Sequence, residues 1–224
     1  MINNELKKRI LSSILIIPIS FFFILKGSNI FLLFLVFFFL VSSYEWLRMN
    51  NVIKFKLFGI LYLFVSFYLT YLLRDEFPLK IFFLILIICI FTDLGGYIFG
   101  KFFKGPKLTK ISPQKTYSGV LGSFCISLIA AIIFIKYSYY LDFNYYQLSA
   151  KYNQSLELNN LTFVFIALVS LISQIGDLII SFFKRLAKVK DTGSFFPGHG
   201  GILDRIDGII FAMPTSYILL TLFN

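Results

Sequence analysis

The sequence predicts an all-α, polytopic membrane protein: a bundle of about seven transmembrane helices with a cytoplasmic N-terminus. Hydrophobic residues make up 58% of the 224 residues and charged residues only 14%, whereas soluble domains average about half and about a quarter. The 30 Phe residues and the many Ile and Leu residues are gathered in blocks, and basic residues lie between them. These observations exclude a soluble globular domain and predict one integral membrane catalytic domain over residues 1–224.

Seven hydrophobic blocks are long enough, or nearly long enough, to cross a bilayer. The hydrocarbon core is about 30 Å thick and needs about 20 apolar residues in a helix. The first two blocks are shorter, so a tight hairpin is an alternative for them. Basic residues precede the first block, as in a signal peptide, but no small-residue cleavage site follows it, which favours an uncleaved span. The predicted spans are Ile10–Leu25, Ile30–Tyr44, Leu57–Leu73, Leu79–Phe99, Val120–Tyr137, Leu161–Phe183 and Gly208–Phe223.

Lys and Arg residues are distributed unevenly between the two sides of this bundle. Sixteen of the 21 lie in the N-terminal segment and in loops on one side, and the other five lie on the opposite side. Short cytoplasmic loops are enriched in Lys and Arg, so the N-terminus and the basic loops are predicted to be cytoplasmic. The net charge of +10 is then explained by membrane orientation, and no nucleic-acid partner is expected.

Four aspartates near span ends are the strongest candidates for a functional site, and all four lie in the predicted catalytic half, residues 79–224, rather than in the spans of residues 1–75. Asp93 and Asp177 lie near the cytoplasmic ends of spans four and six, and acids inside a span are costly and usually functional. Asp204 and Asp207 are three residues apart, so their carboxylates are predicted to lie on one face of the helix of span seven. Span six adds a polar stripe at helical spacing, which should face the bundle interior: Ser170, Ser173, Gln174, Asp177 and Ser181.

Carboxylates that converge at one depth predict a metal site. They repel one another in a medium of low dielectric, and a divalent cation relieves that repulsion. Oxygen ligands favour Mg²⁺, or Mn²⁺, and a sequence with a single histidine and no paired thiolates argues against zinc. The alternative is that acids pair with neighbouring Lys and Arg, and for Asp191 and Arg205 the two interpretations are equally good. The predicted metal ligands are Asp93, Asp177, Asp204 and Asp207.

A basic run and a glycine-rich turn connect span six to span seven. Lys and Arg supply positive charge for phosphates, and glycine lets backbone N–H groups approach phosphate oxygens at a helix N-terminus. Beside the acids, this pattern favours a phosphate site, although a lone histidine such as His199 is more often structural than catalytic. The candidate residues here are Ser181, Lys184, Arg185, Lys188, Lys190, Gly198, His199, Gly200, Gly201 and Arg205.

The other basic loop, Gly100–Gly119, has two interpretations. It could be an anchor for lipid headgroups, worth about 1 kcal/mol per basic residue near anionic lipid. Its segment Ser112–Thr116, however, combines Pro, Gln, Lys and hydroxyl residues and is typical of a shaped loop rather than a charged brush. Ser112 and Lys115 are therefore predicted to bind substrate.

Two blocks of the sequence resemble a known family. Residues 181–207 are S-F-F-K-R-L-A-K-V-K-D-T-G-S-F-F-P-G-H-G-G-I-L-D-R-I-D. This pattern resembles the signature of the phosphatidate cytidylyltransferases, the CDP-diacylglycerol synthases. The stretch Asp93–Gly119 is similar to a second block of that family, and together the two blocks cover about a quarter of the chain.

The resemblance implies that CTP and phosphatidic acid are converted to CDP-diacylglycerol and pyrophosphate with Mg²⁺. It implies catalytic roles for Asp177 and Asp204 at the metal, together with Asp207, and for Lys184 and Arg185 near phosphates. A phosphatidate oxygen would attack the α-phosphorus of CTP in line, while cations neutralise the attacking and leaving groups. The expected location is a bacterial inner membrane with the site facing the cytoplasm, and a homodimer is a further expectation.

Two positions depart from the family pattern. Tyr117-Ser118 stand where the family usually has Trp-Glu, and Gly96 stands where it usually has Ala. The first departure removes an acid, so no ligand role is carried over to Ser118.

The residues alone leave two other function classes open. Asp204-Arg205-Ile206-Asp207-Gly208 begins like the motif of a CDP-alcohol phosphotransferase, but the Ala-Arg and the later acid of that motif do not follow. A cation transporter could use Asp93 and Asp177 as midplane ligands. Both acids lie toward one face beside basic loops, which suits a polyphosphate better than a passing cation.

Overall fold

The fold is known from a computed structural model, which describes residues 18–50, 52–109, 112, 114–138, 157–193 and 200–222. The regular structure of these residues is helical, with only isolated bridges such as that between Lys107 and Thr116. The all-α fold class is therefore confirmed. The helices are α1 (residues 18–26), α2 (Ser28–Met49), α3 (Ile53–Glu76), α4 (Leu79–Phe103), α5 (Tyr117–Ser138), α6 (Asn160–Leu186), α7 (Leu203–Ile206) and α8 (Ile209–Leu222).

Five helices, α2 to α6, are long and apolar enough to cross a membrane. The apolar helix α8 is shorter, with 14 residues, and most of the predicted span Ile10–Leu25 lies outside the described residues. The polytopic membrane fold is therefore confirmed, whereas the number of seven spans stays a prediction.

The outer surface of the bundle is apolar. Helix α3 exposes Leu57, Phe58, Leu61 and Phe64, a pattern that would be an aggregation hazard in water. In a bilayer these side chains are solvated by lipid tails, which are as apolar as the side chains themselves. The exposed face of α3 is therefore consistent with a helix at the lipid boundary.

Helix α4 forms the centre of the bundle. Its residues Ile81 to Ile85 are each at most 8% exposed, and Ile88 is fully buried. They pack with buried residues of α5, α6 and α8 in the main apolar core. Because α4 is enclosed, the polar residues at its C-terminal end are held between neighbouring helices.

The contact between α4 and α5 depends on small residues. A Cβ atom on Gly96 would lie 2.8 Å from Ser123 Oγ, and one on Gly95 would lie 2.5 Å from the carbonyl oxygen of Gly122. Small residues let membrane helices approach closely. The Ser123 hydroxyl donates to the Thr92 carbonyl oxygen at 2.7 Å, which fixes α5 against α4 one residue before Asp93.

A buried arginine holds the opposite end of the bundle together. Arg74 is 4% exposed, and its guanidinium donates to the carbonyl oxygens of Ile24 at 2.8 Å and Leu25 at 3.3 Å. A cation suits these carbonyl groups because they lie at the C-terminus of α1, which carries partial negative charge. Gly27 follows with a positive φ of 61° and ends the helix.

Candidate functional site

The acids of α4, α6 and the α7–α8 connection meet at one end of the bundle. Asp177 Oδ2 pairs with Lys115 Nζ at 2.5 Å, and the Ser181 hydroxyl donates to Asp177 Oδ1 at 3.2 Å. The carboxyl group of Asp207 lies close enough to that of Asp177 to interact with it directly, and Asp93 is close enough to both to interact electrostatically. We call Asp93, Asp177 and Asp207 the acidic group. The predicted convergence of these three acids is therefore present.

The loop between α4 and α5 brings Lys115 to the acidic group. The Leu108 amide donates to the Lys115 carbonyl oxygen at 2.8 Å, and the Lys115 amide donates to that of Ser112 at 3.1 Å. The Tyr117 amide then donates to the Pro106 carbonyl oxygen at 3.1 Å, where α5 begins. These bonds fold the loop back on itself, as expected for a shaped loop rather than a brush of lysines.

The acidic group has more carboxyl groups than neighbouring ammonium groups. Burial and the neighbouring Asp177 carboxylate raise the pKa of Asp207 well above its ordinary value. Lys184 opposes that shift with its positive charge, and Lys115 pairs with Asp177. Three carboxyl groups thus share two ammonium groups, and negative charge outnumbers positive charge when all the acids are ionised.

Asp204 lies in different surroundings, because each of its oxygens already has donors. Oδ1 accepts from Lys184 Nζ at 2.8 Å, with these side chains only 8% and 12% exposed. Oδ2 accepts from the amide of Thr192 at 2.8 Å, from the Thr192 hydroxyl at 3.0 Å and from the amide of Gly201 at 3.0 Å. Asp204 therefore ties the segment after α6 to α7.

Asp204 and Asp207 do not share the single helix that the sequence predicted. Helix α7 ends at Ile206 and α8 begins at Ile209, with a turn between them. Asp204 contacts the segment after α6, whereas Asp207 contacts Asp177 and accepts from the Gly208 amide at 2.9 Å. The two acids still belong to one site, because the charge of Lys184, the partner of Asp204, also acts on Asp207.

The carboxylates of the site suit Mg²⁺ if a substrate supplies further ligands. Among the described residues, no three His, Cys, Asp or Glu side chains are grouped so as to hold a metal by themselves. Mg²⁺, however, is commonly bound by one or two carboxylates, water and the phosphates of a substrate. The facing carboxyl groups of Asp177 and Asp207 fit that pattern, and Asp93 adds negative charge. Asp204 fits it less well, since both of its oxygens accept from the protein.

The remaining predicted residues divide into three groups. Ser112 is half-buried within the loop, and Gly200 and Gly201 line Asp204, so that a Cβ on Gly200 would lie 3.1 Å from Asp204 Oδ2. Gly198 and His199, which were also predicted to bind substrate, lie outside the described residues. The basic residues Arg185, Lys188, Lys190 and Arg205 are exposed at the same end of the bundle.

Sequence reasoning missed Glu45, a buried carboxylate on α2. It is 3% exposed, and it accepts hydrogen bonds from the Ile202 and Leu203 amides at 2.9 Å each and from the Thr192 hydroxyl at 3.0 Å. One signal was present: Glu45 is the only acid between Glu5 and Asp75.

Comparison with known proteins gives a consistent result. A model of the cytidylyltransferase family matches residues 52–223. The chain is 33% identical over 221 residues to the phosphatidate cytidylyltransferase of Rickettsia bellii (strain RML369-C), covering 96% of this chain and 91% of the relative. It is also 33% identical to the protein of that name from Rickettsia typhi, covering 93% and 89%. The protein of that name from Staphylococcus aureus (strain COL) is 37% identical, covering 81% of this chain and 66% of the relative.

These matches confirm the family that the two sequence blocks indicated, and with it the enzyme class of nucleotidyltransferases. They favour neither the CDP-alcohol phosphotransferase nor the cation transporter. Because the family model matches well over half of the chain and the relatives are aligned over nearly all of it, the chain belongs to the cytidylyltransferase family.

Proposed function

We propose that the protein transfers the cytidylyl group of CTP to phosphatidic acid, giving CDP-diacylglycerol and pyrophosphate, at the cytoplasmic face of a bacterial inner membrane. The observation that carries the proposal is the arrangement at one end of the bundle. A group of carboxyl residues lies beside two lysines, each already paired with an acid. Such a site suits a substrate that brings both phosphate oxygens and cations.

The lysines bind and orient phosphate in this proposal. Lys115 and its partner Asp177 are 25% and 26% exposed, so the pair is accessible to a ligand arriving from water. Hydrogen bonds from charged donors to phosphate are short and about twice as strong as neutral ones. Lys115 and Lys184 therefore hold the polyphosphate of CTP, while the exposed Arg185, Lys188, Lys190 and Arg205 attract the nucleotide and the lipid headgroup.

Asp177 and Asp207 would hold Mg²⁺, or Mn²⁺, with Asp93 as a further ligand or neighbouring charge. When bound, the metal supplies positive charge that stabilises the attacking and leaving oxygens. The chain's own contribution is to fix these acids on α4, α6 and the α7–α8 turn. The Ser181 hydroxyl, which donates to Asp177, holds one carboxylate in place.

The chemical step needs no strong base. A phosphate oxygen of phosphatidic acid, already ionised at neutral pH, forms a bond to the α-phosphorus of CTP. The bond from that phosphorus to the oxygen bridging to the β-phosphorus breaks, and pyrophosphate leaves with the electron pair. Positioning and charge stabilisation account for catalysis of this kind, so the lysines and acids suffice without His199.

The direct test is an assay with the purified protein in vesicles that contain phosphatidic acid. CTP labelled in the cytidine moiety should give a lipid-soluble labelled product, and one pyrophosphate should be released for each product. If CTP is turned over only when CDP-diacylglycerol and an alcohol are supplied, or not at all, the proposal fails. Activity should disappear with EDTA and return with Mg²⁺.

The proposed orientation and assembly need separate experiments. Reporter fusions should place the Lys101–Lys115 loop in the cytoplasm and the Ser138–Asn160 loop outside, and finding both on one side would contradict the orientation. A homodimer is part of the proposal, and light scattering of the purified protein in detergent should give twice the mass of one 25.9 kDa chain.

A further inference from the structure

Glu45 connects the N-terminal half of the chain to the signature segment. It lies on α2, before the first residue matched by the family model, residue 52. Its contacts are 147 to 158 residues away in sequence. Oε1 accepts from the Ile202 amide, and Oε2 accepts from the Leu203 amide and the Thr192 hydroxyl. Three donors thus converge on one buried carboxylate.

Two glycines close around this carboxylate. A Cβ on Gly193 would lie 2.6 Å from Glu45 Oε1, and one on Gly201 would lie 2.5 Å from Glu45 Oε2. These distances are too short for any other residue without a shift of the backbone or of Glu45. Gly201, which the sequence predicted to contact phosphate, thus has a second role, since Gly193 and Gly201 both let the backbone approach Glu45 closely.

Thr192 joins Glu45 to the reacting end of the site. Its hydroxyl lies 3.0 Å from Glu45 Oε2 and 3.0 Å from Asp204 Oδ2, so its single O–H group is shared between two carboxylate oxygens. Asp204 in turn accepts from Lys184 at 2.8 Å. A continuous chain of contacts therefore runs from Glu45 through Thr192 and Asp204 to Lys184.

We propose that Glu45 is a positioning residue for the cytidylyl transfer: it fixes Thr192, Ile202 and Leu203 so that Asp204 holds Lys184 in place. The inference rests on the proposed function for its effect on rate, although not for its effect on the segment. Glu45 touches no reacting atom. It acts by fixing two amides and one hydroxyl, and a hydrogen bond to a charged group is stronger than a neutral one.

The substitution that tests this is Glu45→Gln. Gln keeps the size of the side chain, but one of its two terminal atoms becomes a donor and would face the amide or hydroxyl donors. We expect kcat/KM to fall at least about tenfold, mostly in kcat, because lysine placement matters most in the transition state. Glu76→Gln is the matched control: Glu76 accepts from the Tyr217 hydroxyl at 3.0 Å at the end of α3, and its loss should change kcat less than twofold.

Hydrogen exchange gives a measurement that does not depend on turnover. In Glu45→Gln the amides of Ile202 and Leu203 should exchange at least about tenfold faster, whereas the amides of α4 should not change. If the unaltered protein is inactive with CTP and phosphatidic acid, but Glu45→Gln still shows this change in exchange, the proposed function is refuted and the positioning role of Glu45 is kept. Unchanged exchange at both amides would overturn the inference, whatever the activity.

Thr192 provides a second route if Glu45→Gln does not insert. Thr192→Val removes only the bridging hydroxyl and should lower kcat with little change in KM for CTP, while Thr192→Ser should restore most of the rate. If Thr192→Val is as active as the unaltered protein, the connection to Asp204 does not operate and the inference is wrong.

Discussion

The site has two halves, the acidic group and the pair of Asp204 and Glu45, and the carboxylates of the two halves have different kinds of neighbours. In the acidic group, Asp177 and Asp207 face each other and share nearby lysines. Around Asp204 and Glu45, backbone amides, one hydroxyl and one ammonium group meet every carboxylate oxygen. A carboxylate whose oxygens already accept hydrogen bonds from the protein holds the chain in place, so we call Asp204 and Glu45 the scaffold half. A carboxylate that is repelled by neighbouring carboxylates can instead bind a cation.

This difference separates Asp204 from the other three aspartates, although all four were predicted from the sequence to be metal ligands. Asp204 and Asp207 are three residues apart, and nothing in their spacing distinguishes a ligand from a scaffold residue. The distinction comes from Thr192 and Gly201, which reach Asp204 and not Asp207. We therefore expect substitutions in the two halves to fail in different ways.

The largest effect should come from Asp177→Asn. It removes a charge that stabilises the transition state, so kcat should fall at least about 10² to 10³-fold, the range for the loss of one electrostatic stabiliser. The protein should still insert and purify, because Lys115 can turn toward solvent. Steady-state kinetics in phosphatidic acid vesicles measure this, with the exposed Asp191→Asn as a control that stays within about threefold. A variant that keeps a tenth of the rate, a loss of about 1.4 kcal/mol, would contradict a metal role.

Asp204→Asn should fail by a different mechanism. Breaking a buried pair by removing one partner costs about 3–5 kcal/mol, and here Lys184 is 12% exposed, so the loss should be near or below the lower value. Activity should drop and the midpoint of thermal unfolding should fall with it, whereas Asp177→Asn should leave that midpoint almost unchanged. An unaltered midpoint together with a raised requirement for Mg²⁺ would show that Asp204 is a metal ligand.

A smaller effect is expected for Lys115→Ala. The loop bonds direct this ammonium group into the acidic group, so KM for CTP should rise about tenfold, which corresponds to about 1.4 kcal/mol. Lys104 is exposed, and Lys104→Ala should change KM less than twofold. Equal small effects of the two substitutions would mean that the loop is only a lipid anchor.

The smallest change concerns the packing beneath the acidic group. Gly96→Ala introduces the residue usual in the family, but its Cβ would lie 2.8 Å from Ser123 Oγ. Overpacking costs about 1–3 kcal/mol, so the midpoint of thermal unfolding of Gly96→Ala should fall. If Gly96→Ala alone is neutral, α5 can move without disturbing Asp93, and the acidic group is less rigid than the packing suggests.

The sequence predicted the helices well because hydrophobic blocks are local signals. The five long apolar helices match predicted spans, with α6 extending from Asn160 to Leu186 around the predicted Leu161–Phe183. It also identified Asp177 and Lys115 separately, from a charge inside a span and from an unusual loop. Their contact, 62 positions apart in the chain, depends on how α4, α5 and α6 pack, which periodicity does not reveal.

The scaffold half was not predictable for the same reason. Glu45 was hidden because its partners are three donors from the far end of the chain, two of them backbone amides that carry no residue identity. The break between α7 and α8 was not predicted because no helix-breaking residue stands between Gly201 and Gly208. The backbone of Asp207 itself stays helical (φ −54°, ψ −42°).

Trp46, the residue after Glu45, is the only tryptophan in the protein. Its indole N–H donates to the Phe55 carbonyl oxygen at 2.9 Å, and its ring lies 4.9 Å from that of Phe183, the residue before Lys184. It also lines a cavity of about 160 Å³ with Tyr62 and Phe211. Because this single buried tryptophan lies next to Glu45 and near Lys184, its fluorescence can report on the site. Its emission should respond when nucleotide or lipid arrives, so that binding can be followed without a label and before any product forms.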